Sequence, residues 1–184
     1  MNPNSTIEDN TGTEVASPYM WENADLDDWL ATNCGDADQQ PGSSSDGNKF
    51  GQTGIGVGGR AVKLDESCRR LYQPVTVEIG VEYTFTIDSR SEATGVPSEV
   101  YILNTAIANA TGLGAGSSSV DKYFAINNDF NASKSSTTAD TFTTSTFTFI
   151  PTTTEIVIYV RAPLAVDSSN EVFYDNIGIE TPGF

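Results

Sequence analysis

Histidine is missing from all 184 residues, and cysteine occurs only twice, as Cys34 and Cys68. Without imidazole the chain lacks the usual general base, the usual charge-relay partner and the commonest zinc ligand. No pair of cysteines has the close spacing of a zinc or redox motif. Positive charge is scarce as well: 9 Lys and Arg stand against 25 Asp and Glu, a formal charge of -16. A balance of that sign repels nucleic acid and anionic membranes, whose binding depends on neutralising phosphate. It attracts divalent cations and keeps a chain in solution at high salt. No run approaches the roughly 20 apolar residues of a membrane-spanning helix. Residues 1–18 have neither the basic start nor the apolar stretch of a signal peptide. Residues 1–15 therefore read as a flexible linker and 16–184 as a single domain. There is no G-x-S-x-G, and the glycines at 54, 56 and 58 lack the spacing and following helix of a phosphate-binding loop.

What the sequence does hold is period-two alternation. Along residues 81–90, Val81, Tyr83, Phe85 and Ile87 fall on one face, and Thr84, Thr86, Asp88 and Arg90 on the other. Comparable strands read at 60–65, 69–77, 99–104, 143–150, 155–161 and 171–180, separated by turn-rich stretches at 35–59, 93–98, 112–119 and 165–170. One piece, 120–131 (VDKYFAINNDFN), reads as a short helix. Many strands with almost no helix predict an all-β, two-sheet antiparallel β-sandwich. With Ile156, Ile158 and Val160 inward, Tyr159 and Arg161 point outward; with Val100 and Ile102 inward, Tyr101 is expected to be exposed. Adjacent Arg69 and Arg70 point to opposite faces and read as partners for the abundant acids.

Three landmarks occur in order. Residues 21–29 (WENADLDDW) match an opening F-E-x-G-x-L-x-x-W pattern. Residues 58–64 (GGRAVKL), 71–77 (LYQPVTV) and 80–85 (GVEYTF) match a central G-G-x-A-x-K-L run with the strands that follow it. Residues 172–179 (VFYDNIGI) match a closing V-Y-x-D-N-I-x-I strand. Together they resemble the galactose-binding-like jelly rolls, in particular the carbohydrate-binding modules of families 4, 16 and 22. Trp21 replaces the usual Phe and Ala24 the usual Gly, and the stretches 32–59 and 105–139 are additions to the pattern.

The resemblance implies a jelly roll whose first and last strands meet. They would hold a structural Ca2+ between Glu22, Asp175 and, more weakly, the carbonyl of Arg60. The ion's demand for six to eight oxygens suits such a set; otherwise Glu22 caps a turn and Asp175 accepts backbone N–H bonds. It also implies a secreted bacterial module, monomeric and attached to a polysaccharide-degrading enzyme, in which Cys34 and Cys68 could form a disulfide. Sugars are recognised by rings stacked on the pyranose C–H face and by planar polar groups that bond the hydroxyls. Tyr101, Tyr159, Asp88, Arg90 and Arg161 form the expected binding face, unless the 105–139 insertion covers Tyr159 and Arg161 or a one-residue slip in register reverses the faces. Trp29 is either a stacking platform at its edge or a plug at the base of the sandwich. Two arginines on one face of so acidic a chain hint at an anionic glycan, such as alginate or a sulfated galactan. The alternatives are a jelly-roll lyase or glycosidase, and a cell-surface adhesive module. A Tyr/His lyase is excluded, whereas a Tyr/Lys or Tyr/Arg one is not.

Overall fold

Strand by strand, alternation decides which side chains enter the interior. The computed structural model describes residues 42–44, 61–64, 70–107, 110, 112–128, 142–163, 166–167 and 169–181. Nine strands run through these described residues: β1 (Gly42–Ser44), β2 (Ala61–Leu64), β3 (Arg70–Thr76), β4 (Tyr83–Ser91), β5 (Pro97–Leu103), β6 (Val120–Asn127), β7 (Thr143–Phe149), β8 (Glu155–Arg161) and β9 (Val172–Glu180). They pair into a five-stranded sheet, β1-β2-β9-β4-β7, and a four-stranded sheet, β3-β8-β5-β6. All pairings are antiparallel. From β3 onward the chain changes sheet at every connection except β5 to β6, so most consecutive strands face one another instead of pairing. This is a two-sheet jelly-roll sandwich.

The inward residues of both sheets form one buried cluster. Phe85, Ile87, Phe147, Tyr174 and Ile179 come from the five-stranded sheet, and Leu71, Val100, Ile102, Ile156, Ile158 and Val160 from the four-stranded one. The Phe147 ring stacks on Phe85 at 4.7 Å and on Phe124 at 4.8 Å, joining the two sheets through β6. One polar link crosses the same interior. The Ser98 and Tyr174 hydroxyls lie 2.5 Å apart, and Asn128 Nδ2 donates to Ser98 Oγ at 2.7 Å, so both buried hydroxyls have partners. Between β3 and β4 the chain reverses at Gly80, whose φ of 79° disfavours a Cβ and whose N–H donates to the Pro151 carbonyl.

Seven expected strands are present with ends shifted by a few residues. Two differences stand out. Residues 120–127, expected to be helical, are the edge strand β6 paired along β5. Their apolar residues fit either period, and the unpaired edge of β5 decides for the strand, because it satisfies the backbone polar groups of both. Gly42–Ser44, inside a stretch expected to be all turn, pairs with β2. The expected linker 1–15 lies outside the described residues.

Candidate functional site

On the outer side of the four-stranded sheet, antiparallel register sets residues in rows. Tyr72 is opposite Tyr159, Tyr159 opposite Tyr101, and Tyr101 opposite Tyr123, so every strand contributes one tyrosine position to a single row. The next row runs Arg70, Arg161, Glu99, Ala125. Cross-strand neighbours in such rows stand about 4.5–5.5 Å apart, close enough for their side chains to interact.

Tyr101 is the hub. Its ring centroid lies 6.0 Å from that of Tyr159 and 5.0 Å from that of Tyr123, both tilted. Arg161 Nε donates to Glu99 Oε2 at 2.7 Å, and its Nη2 donates to the Tyr101 hydroxyl at 2.9 Å. Tyr101 in turn donates to Glu99 Oε2, and Tyr123 donates to Glu99 Oε1, each at 3.0 Å. The guanidinium carbon sits 5.1 Å from the Tyr101 ring centre, a cation–π distance. Burial by itself would raise the Glu99 carboxyl; the Arg161 hydrogen bond and charge, with the two tyrosine hydroxyls, outweigh it and hold the group below its ordinary pKa. Burial, followed by Glu99, raises both tyrosines, Tyr101 strongly, against the pull of Arg161. The tyrosines therefore stay protonated and act as hydrogen-bond donors.

The expected exposure of Tyr101 and Tyr159 is not what the structure shows: they are 1% and 0% exposed. Both do face away from the main core, as alternation requires. They are covered because the β5–β6 connection folds back over them. Ile107, Ala110, Leu113 and Val120 pack with Leu103, Val157, Tyr101, Tyr123 and Tyr159 into a second apolar cluster. This roof is stapled by polar bonds. Asn104 donates from its backbone to the Ser119 carbonyl at 2.9 Å and from its side chain to Asp121 Oδ1 at 3.0 Å. Asp121 also accepts the Thr152 N–H and hydroxyl, both at 2.8 Å, which ties the roof to the β7–β8 turn. At the roof's free lip, Arg161 Nη2 donates to the Leu113 carbonyl at 3.4 Å.

Asp88 and Arg90 are on the other sheet. The chain crosses the sandwich between β4 and β5, which puts their face on the opposite outside from Tyr101, Tyr159 and Arg161. Arg90 is 1% exposed, with its guanidinium carbon 4.0 Å from the Phe173 ring centre and 5.4 Å from that of Phe142. Asp88 is also buried and accepts a hydrogen bond from the Thr144 hydroxyl. These five residues therefore do not form one groove. Glu99 and Tyr123, which complete the network around Tyr101, escaped the sequence reading. Glu99 was legible as the residue two before Tyr101 on the same strand face; Tyr123 was hidden in the segment read as helix.

Of the expected calcium ligands, Glu22 and Arg60 lie outside the described residues, as do Trp29, Cys34 and Cys68. Asp175 lies on β9, directly opposite Asp88 at an irregularity in the β4–β9 register. Among the described residues, no three His, Cys, Asp or Glu converge on one point.

Fold and site together define an antiparallel jelly-roll sandwich with a roofed, tyrosine-lined outer sheet face. No protein-family model matches the sequence, and no curated protein does. Among solved structures, the chain is similar to a family 4 carbohydrate-binding module at 13% identity and a TM-score of 0.46, over 67% of this chain and 70% of that one. A family 6 module from Cellvibrio mixtus lichenase 5A, in complex with cellotriose, is similar at 16% identity and a TM-score of 0.44, over 84% and 95%. The insecticidal δ-endotoxin Cry8Ea1 of Bacillus thuringiensis is similar at 13% identity and 0.45, over 76% of this chain and 23% of that one. Likeness of this degree is a matter of fold, and function has to be argued from the chain's own residues.

Proposed function

We propose that this chain is a non-catalytic domain that binds a polysaccharide on the outer face of its four-stranded sheet, at the lip of the roof. The supporting observation is the Glu99–Arg161–Tyr101–Tyr123 network. It joins a half-buried ring to a fixed set of planar donors and acceptors, the two means by which a protein grips a pyranose. Tyr123 offers the stacking surface, and Glu99 and Arg161, each about one-sixth exposed, present polar edges beside it. Tyr101, the tyrosine beside Arg161, is 1% exposed and donates its hydroxyl to Glu99, so it offers a substrate no accessible base of the kind a Tyr/Arg lyase uses.

An anionic glycan finds less support than a neutral one. Arg161 is already ion-paired with Glu99, Arg90 is buried over Phe173, and the chain's charge is -16. In this reading the domain is a secreted monomeric module that brings an attached polysaccharide-degrading enzyme to its substrate. A structural Ca2+ held by Glu22, Asp175 and the Arg60 carbonyl steadies the sandwich. The test is gel retardation against soluble β-glucan, xylan, galactan, alginate and carrageenan. Retardation by a neutral member, lost in Tyr123→Ala with a Tm drop well short of that for the fully buried Tyr159, supports the reading. Retardation only by alginate or carrageenan reverses the charge argument. Released reducing ends or unsaturated products indicate an enzyme; no response to any glycan, together with self-association, indicates an adhesive module.

A further inference from the structure

Resting on that reading, we infer that the β5–β6 connection makes this face a closed-ended site, which takes the terminal residues of a glycan instead of its middle. A mid-chain site needs a groove open at both ends, so that the polymer passes through. Here one end is sealed: Leu103, Val157 and Tyr159 are 0%, 2% and 0% exposed beneath Ile107, Ala110 and Leu113. The seal is not a loose flap. The Asn104, Asp121 and Thr152 bonds anchor its base, and the guanidinium that pairs with Glu99 also holds its lip at Leu113.

Away from the roof the face opens, with Ala125 and Asn127 exposed and Pro97 half-buried on β5 and β6. A chain entering from that side meets the wall just where the hydrogen-bonding groups are gathered. Of the three tyrosine side chains described on this face, Tyr101 and Tyr159 lie buried behind the wall, and Tyr123 is half-exposed at the edge strand. One ring accommodates about one pyranose, so contact beyond the first few sugar units adds little.

The experiment uses the full chain and whichever panel polysaccharide it binds. That polymer is titrated at constant mass before and after partial cleavage into shorter chains, and its oligosaccharide series is titrated in parallel. The expected result is that binding sites per unit mass rise in proportion to the number of chain ends, with affinity levelling off at short oligosaccharides. Sites per unit mass that stay constant on cleavage, or affinity that keeps climbing with length, would show an open groove; the inference would then fall while glycan binding stood. Failure to bind any panel member would remove both.

Discussion

At the scale of single residues, Glu99 does the most organising. Its carboxylate receives Arg161 and two tyrosine hydroxyls, so its charge is worth more in the folded chain than in the unfolded one. A carboxyl whose folded pKa lies below the ordinary 4.5 contributes stability that is fully present above that value and lost as pH falls through the lower, folded pKa. Glu99→Gln should therefore cost about 1–3 kcal/mol near neutrality, the scale of hydrogen bonds to charged groups. It should also flatten part of the acid limb of the stability curve, as followed by urea unfolding at successive pH values. A difference between variant and parent that does not shrink towards low pH would contradict this account. Tyr159→Ala belongs to a different class. With no exposed surface to offer a ligand, Tyr159 should give a fold-destabilised variant, by about 3–5 kcal/mol for a fully buried aromatic truncation. A clear Tm drop would distinguish it from Tyr123→Ala, whose expected effect is on binding.

Elements explain why the outer sheet face is roofed. The β5–β6 connection carries apolar residues at positions where a solvated loop would carry polar ones, and Ile107, Ala110 and Leu113 find their cover on the tyrosine row. Its polar anchor is Asp121, which holds the start of β6 to Asn104 and to the β7–β8 turn. Asp121→Ala leaves three donors without that acceptor. It should cost about 1–2 kcal/mol and, more tellingly, raise hydrogen exchange in residues 104–119 above that of the core strands. Uniform exchange across both regions would mean that the roof does not depend on this staple. Strand identity was readable where alternation was long, as in β4 and β8. It was not readable in β6, because VDKYFAIN fits two periods and the unpaired edge of β5 chooses between them.

For the whole molecule, charge and topology set the expectations. A net charge of -16 on a chain of 184 residues is self-repulsive, and salt screens such repulsion. A structural Ca2+ would relieve it locally, where Asp175 stands opposite Asp88. Chelation should then lower Tm, and Glu22→Ala or Asp175→Ala should abolish the difference between chelated and calcium-loaded protein. Identical melting with and without chelator in the parent chain would remove the ion from the account.

Composition and local pattern were enough to decide several things. The chain lacks imidazole chemistry and opposes polyanions by its charge. It folds as antiparallel strands whose inward residues can be named, since charge and alternation are properties of short stretches. Which outward residues meet was decided only by tertiary structure. Crossing the sandwich between β4 and β5 parted Asp88 and Arg90 from Tyr101, Tyr159 and Arg161, although all five share the outward phase. Register then brought Glu99 and Tyr123 to Tyr101, and the fold-back that carries Ile107, Ala110 and Leu113 buried two tyrosines that alternation alone left in solvent. A face is a local property of a strand; a neighbour across the sheet, and what lies on top of it, depend on where distant parts of the chain come to rest.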